Sequence, residues 1–128
     1  MRLLLDSHLL VWMAAQSWKL PAIARQMIED PENQIFFSSA SVWELTIKHD
    51  LGKTAIPLHP GILHEALVAN DYTELPVSAL HALALSSLPP IHKDPFDLIL
   101  IAQSGHEGTT LLTADRTVAQ YGGSIRLV

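Results

Sequence analysis

Short apolar runs alternate along this chain with longer stretches of mixed polarity. Arg2-Leu3-Leu4-Leu5 is the first run, and Asp6 ends it. Three consecutive leucines suit a strand covered on both faces, as at the centre of a parallel sheet. Asp6 or Ser7 can cap the helix that follows through His8-Leu9-Leu10-Val11-Trp12. Leu20-Pro21 opens a second helix that reaches Ile28, with proline in its first turn. Asp30-Pro31-Glu32-Asn33 reads as a turn. Gln34-Ile35-Phe36-Phe37 is the second strand, and Ser38 to Ser41 offer caps for a helix through Lys48, with Gly52 near its end.

An irregular connection is expected over 53–60, a helix over 61–70, and a strand over 73–76. Pro76 makes that strand an edge strand, because proline cannot donate to a central ladder. Ser78 to Leu88 predicts another helix, broken by Pro89-Pro90. Pro95 opens the next helix, which stops at Gly105 or Gly108. Residues 109–113 form a strand, Ala114-Asp115 a turn, 117–121 a short helix, and 124–127 a last strand. This alternation predicts the α/β class with a mostly parallel sheet of four to five strands. No repeat, low-complexity tract or linker interrupts it, so one domain over 1–128 is expected.

Composition narrows the picture. A length of 128 residues can enclose a real core, and 48% hydrophobic against 16% charged residues argues against disorder. No apolar run approaches the ~18 residues of a membrane helix. The opening stretch invites a signal-peptide reading, but Asp6 and His8 interrupt it and no small-residue cleavage site follows. The expectation is mature structure, no membrane association and a cytoplasmic protein. With no cysteine there are no disulfides, thiolate metal sites or cysteine nucleophiles. The net charge of −5 is wrong for nucleic-acid binding by electrostatics alone. If the chain handles phosphates, cations must offset its carboxylates. The apolar share fits either a generously filled core or a buried interface with a second copy or a partner.

The placement of the acids carries the chemistry. Asp6 follows the first strand, and Glu44 lies one to two turns into the helix after the second. Asp94 and Asp97 open the helix before the fourth strand, and Asp115 follows that strand. In open parallel sheets ligands sit beyond the carboxyl ends of the strands. Carboxylates crowded there repel one another unless a cation sits among them. A hard dication such as Mg²⁺ or Mn²⁺ suits oxygen ligands and can assist displacement at a phosphodiester. Each acid also has a structural reading. Asp6 and Asp94 can be caps, Asp97 a first-turn acid, Asp115 a turn residue, and Glu44 the partner of Lys48 four residues on. Glu29, Asp30, Glu32, Asp50, Glu65, Asp71, Glu74 and Glu107 read as solvated surface.

Other chemistries fit less well. Of seven histidines, at 8, 49, 59, 64, 81, 92 and 106, none forms an HExxH pair, which disfavours zinc. His92, beside Asp94, could orient a carboxylate, touch phosphate or lie in a surface loop. There is no GxSxG, GxxxxGK[ST] or GxGxxG. Ser7, Ser38, Ser39 and Thr113 are hydroxyls near the acids, able to support carboxylates or serve as caps.

LLLDSHLLVW, SSASVWELTIK, HKDPFDLILIAQ and LLTAD, in this order, resemble the PIN-domain ribonucleases, specifically the VapC-type toxins of bacterial toxin–antitoxin pairs. The resemblance covers nearly the whole chain. It implies a three-layer α/β/α fold and Mg²⁺- or Mn²⁺-dependent cleavage of RNA. It implies Asp6, Glu44, Asp97 and Asp115 as the catalytic metal-site acids, Asp94 as a tuning neighbour, and Thr113 and Ser39 as supporting hydroxyls. It also implies a homodimer and a small VapB-like antitoxin, for which Leu9, Leu10, Trp12 and Met13 with the second helix are the candidate apolar groove. Those four side chains could equally be core. Leu98 stands where many relatives carry arginine, so Lys93 or Arg116 would have to meet the RNA instead. Two rival readings stand beside this one: a catalytically silent module of the same fold that acts by binding RNA or protein, and a phosphoacceptor of response-regulator type. The second needs a lysine after a late strand, and none occurs beyond Lys93.

Overall fold

A computed structural model describes residues 1–52 and 58–128, so most of the connection expected over 53–60 lies outside the described residues. The elements in chain order are β1 (Arg2–Leu5), α1 (Ser7–Ala15), α2 (Ala22–Glu29), β2 (Gln34–Ser38), α3 (Ser39–Asp50) and α4 (Pro60–Ala69). Then come β3 (Thr73–Leu75), α5 (Ala79–Ala84), α6 (Pro95–Glu107), β4 (Thr110–Thr113), α7 (Arg116–Ala119) and β5 (Ile125–Leu127). Short 3₁₀ turns occur at Ser17–Lys19 and Leu85–Ser87.

The strands form one sheet in the order β3-β2-β1-β4-β5. Every pairing is parallel, so the sheet expected to be mostly parallel is wholly so. β1 is central, with Leu4 opposite Phe36 on one side and Leu111 on the other. That position explains the unbroken leucine run, because both faces of a central parallel strand are covered.

Strand alternation then divides the core in two. Leu3, Leu5, Ile35, Phe37 and Leu112 pack on one face with Leu9, Leu10, Leu45, Leu63 and Leu67 of α1, α3 and α4. Leu4, Phe36 and Leu111 pack on the other with Leu100, Ile101 and Val118 of α6 and α7. Helices therefore cover both faces, as a three-layer α/β/α arrangement requires.

Three local outcomes differ from the sequence reading, and a fourth decides between two stops it offered. Pro21 is the cap of α2 rather than part of its first turn. The helix expected over 78–88 is α-helical only to Ala84 and tightens into the 3₁₀ turn before Pro89-Pro90. Proline biases the residue before it away from helical geometry, which shortens the element. Asp115 is a helix cap rather than a plain turn residue, so α7 begins at Arg116. Of the two glycine stops for α6, the chain uses Gly108, whose φ of 68° lies in the left-handed region. No helix among the described residues is long and apolar enough to cross a membrane.

Candidate metal centre

Sequence neighbours β1 and β2 lie side by side, and the sheet then grows from the other edge of β1 through β4. The reversal of direction between β1 and β4 opens a crevice at their carboxyl ends. Asp6 sits at the end of β1 and is only 4% exposed. One carboxylate oxygen accepts the Leu9 N–H at 2.9 Å and caps α1. The other accepts the Thr113 hydroxyl at 2.6 Å. Asp6 is thus both the cap and a member of the crevice.

Thr113 joins the two strand ends. It donates to Asp6, and its Oγ1 accepts the Asp115 N–H at 3.0 Å. Asp115 then caps α7 through the Thr117 N–H at 2.8 Å. α6 is started by Asp94, which accepts the N–H groups of Phe96 at 2.9 Å and Asp97 at 3.4 Å. With the cap supplied by Asp94, the Asp97 side chain is available to the crevice. Its Oδ2 lies 2.7 Å from His92 Nε2. The His92 N–H donates to the Tyr121 hydroxyl, which donates to Pro89 O, both at 2.9 Å. Those two bonds tie the loop before α6 to the end of α7. One ligand atom each from His92, Asp97 and Asp115 lies within 4.8 Å of the others.

Glu44, on α3, is 3% exposed. Its Oε1 accepts the Ser7 hydroxyl at 2.7 Å, and the Ser7 and Ser41 hydroxyls are 3.0 Å apart. Its Oε2 meets Lys48 Nζ at 2.5 Å. The helical partner expected for Glu44 is present, but the pair is turned inward rather than solvated.

The electrostatics fit a shared site. Burial raises the pKa of Asp6 above the ordinary carboxylate range, against its hydrogen bonds from Thr113 and Leu9. Burial also raises that of Asp97; the negative charges of Asp94 and Glu44 add to the rise and His92 opposes it. For Lys48, burial acts to lower the pKa, but the bond and charge of Glu44, with Asp94 and Asp97, raise it overall. Glu44 and Asp94 therefore act on Asp97, and all three act on a single ammonium. An oxygen-rich group with one imidazole, holding two carboxyls whose charged forms are disfavoured, suits a hard dication such as Mg²⁺ or Mn²⁺.

Several side chains lie away from this crevice. Ser39 is turned aside, with its hydroxyl accepting the Val77 N–H at 3.1 Å; Ser7 and Ser41 support the acids instead. Ser41, Glu44 and Lys48 are spaced as neighbours on one helix face, a signal the sequence did carry. Leu9 and Leu10 are wholly buried, so they belong to the core and not to a groove. Trp12 and Met13 pack half-buried against that core, while Trp18, 76% exposed, and Ile23 are open apolar residues in the segments that follow α1. Lys93 and Arg116 are exposed beside His92 and Asp115 in the chain.

Glu107 is not plain surface, since its carboxylate lies 2.8 Å from Nε2 of buried His81. With His106 these form a second group of metal-ligating types. However, His81 Nδ1 accepts the Ser78 N–H at 2.9 Å. That fixes the ring proton on Nε2, where it is given to Glu107. The nitrogen a metal would need is already protonated, so this group is a structural hydrogen bond between α5 and α6.

A model of the PIN domain family matches residues 3–123. The chain belongs to the PIN domain family. No match is found among curated proteins. Among solved structures, this PIN chain is similar to VapBC2 from Rickettsia felis bound to a DNA fragment from its promoter. That likeness has a TM-score of 0.73 at 16% identity and covers 100% of this chain and 98% of the other. It is also similar to DNA-bound VapBC from Salmonella typhimurium, with a TM-score of 0.69 at 15% identity, covering 100% and 97%. A third is FitAcB from Neisseria gonorrhoeae, with a TM-score of 0.66 at 16% identity, covering 93% and 91%. At these identities the likeness is one of fold.

Proposed function

We propose that this PIN domain is a Mg²⁺- or Mn²⁺-dependent endoribonuclease that acts as the toxin of a toxin–antitoxin pair. The observation that carries the reading is the approach of Asp97 and Asp115, with His92, beside the carboxyl ends of β1 and β4, where Asp6 and Thr113 lie. Asp97 and Asp115 come within ligand distance of each other, Asp6 is tied to Asp115 through Thr113, and the charge of Glu44 reaches Asp97. Similarity to structures described as VapBC complexes supports the toxin part.

Asp97 and Asp115, with His92 beside them and Asp6 joined through Thr113, are the residues that would hold the metal, while Glu44 stands at the margin. A bound Mg²⁺ or Mn²⁺ supplies Lewis-acid stabilisation of charge at the phosphodiester and a more acidic water. The chain's own groups prepare the place. Thr113 holds Asp6 in one rotamer, His92 fixes Asp97, and Ser7 fixes Glu44. Such bonds from outside the ligand set orient ligands and tune them. Exposed Lys93 and Arg116 can meet RNA phosphates, which the net charge of −5 otherwise repels. The open residues Trp18 and Ile23, with half-buried Trp12 and Met13, are the apolar surface offered to a VapB-like antitoxin. The reading includes a homodimer acting on RNA in the cytoplasm.

The test is cleavage of structured RNA by purified protein. Cleavage is expected with Mg²⁺ or Mn²⁺, lost in EDTA, restored by added metal, and absent in Asp6→Asn and Asp97→Asn. Cleavage that persists in excess chelator overturns the mechanism. Growth arrest by Asp97→Asn as strong as by the wild type favours the silent binding module instead.

A further inference from the structure

The acidic crevice already contains a cation of its own. Lys48 Nζ meets Glu44 Oε2 at 2.5 Å, and the Glu44 side chain is 4% exposed against 37% for Lys48. The other Glu44 oxygen is occupied by the Ser7 hydroxyl at 2.7 Å. Both oxygens are therefore engaged, and a metal ion approaching Glu44 would meet the repulsion of the ammonium. Asp97 and Asp115 are different: with His92 they can bring one ligand atom each within 4.8 Å, a group that does not include Glu44. The charges of Asp94 and Asp97 also act on Lys48, so the ammonium answers to three acids and not to Glu44 alone.

We infer that Lys48 is the resident second cation of this site: it neutralises and positions Glu44, and so limits the centre to one divalent ion, held on the Asp97–Asp115 side. This rests on the proposed metal-dependent reading. The physical reason is the repulsion between like charges at short range in a partly buried site. One dication together with one ammonium offsets most of the charge on Asp6, Glu44, Asp97 and Asp115. A second dication beside Glu44 would meet the repulsion of the ammonium already held there. Lys48 acts through Glu44 and is a positioning residue. Its helical spacing of four from Glu44 keeps the contact in place whether or not a metal is bound.

The test is the stoichiometry of Mn²⁺ binding by calorimetry on the purified full chain, which needs no activity readout. Wild type is expected to bind one equivalent. Lys48→Arg, which keeps the charge, is expected to bind one. Lys48→Met, which keeps the length and removes the charge, is expected to bind two. Two equivalents in the wild type, or one in Lys48→Met, overturns the inference while leaving the metal-dependent reading intact. Absence of Mn²⁺ binding by the wild type overturns both. If circular dichroism shows that Lys48→Met does not fold, Lys48→Gln is measured in its place, with the same two outcomes.

Discussion

At the residue scale, each crevice acid does two jobs, and the second is visible only in three dimensions. Asp6, Asp94 and Asp115 are all helix caps, the structural role the sequence offered for the first two. Thr113 is the residue whose removal separates the jobs. Thr113→Val keeps the strand but takes a hydrogen bond from Asp6, and activity or metal affinity is expected to fall about 10–100-fold. Cleavage rates and Mn²⁺ titration measure this, with thermal stability as the control. A pH effect follows from the raised pKa values of Asp6 and Asp97. In the metal-free protein, the stability these acids contribute is full below their ordinary value of 3.8. It is lost as pH rises through their raised folded-state values, because the folded state then holds protons the unfolded state has released. Melting curves in EDTA are expected to show this loss as pH rises above 3.8, smaller in the Asp6→Asn, Asp97→Asn double variant. Mn²⁺ at neutral pH should restore stability to the wild type. The acids were legible because they follow strands. The hydroxyls were legible only in part: Ser7 and Ser39 looked alike in sequence, and the turn into α3 points Ser39 towards Val77.

At the element scale, the caps decide where the ligands point. Asp94→Ala removes two hydrogen bonds from the start of α6 and is expected to cost about 1 kcal/mol. Because Asp97 lies in that first turn, a loss of Mn²⁺ affinity should accompany the shift in melting temperature. The apolar groove proposed from Leu9 and Leu10 failed for a reason that lies in α1 itself. That helix is apolar on nearly every side, so periodicity does not tell which side faces the sheet. The sheet does: it takes Leu9 and Leu10, leaving Trp12 and Met13 half-buried. The end of α5 was obscured by leucines and serines that fit a helix, until the proline pair beyond forces a tighter turn. Leu98, in place of an arginine, raised the question of which cation serves the site. Lys48, on α3, is a cation found against Glu44.

At the scale of the whole molecule, the class was readable because strand and helix periods differ, and the leucine run of β1 marks a central strand. The strand order was not readable. Nothing in local pattern places β4 beside β1 rather than at an edge, with Leu3 opposite Thr110. That long-range pairing makes the crevice, since it sets Thr113 against Asp6. Leu112, wholly buried on β4, is expected to cost about 2–5 kcal/mol when replaced by alanine, read by denaturant unfolding. The central claim is that this arrangement gathers carboxylates to hold a divalent ion. Anomalous diffraction from a crystal soaked in Mn²⁺ tests it most directly. The account predicts a peak in contact with Asp97 and Asp115. Absence of a peak there at saturating Mn²⁺, or a peak only at His81, His106 and Glu107, would contradict it.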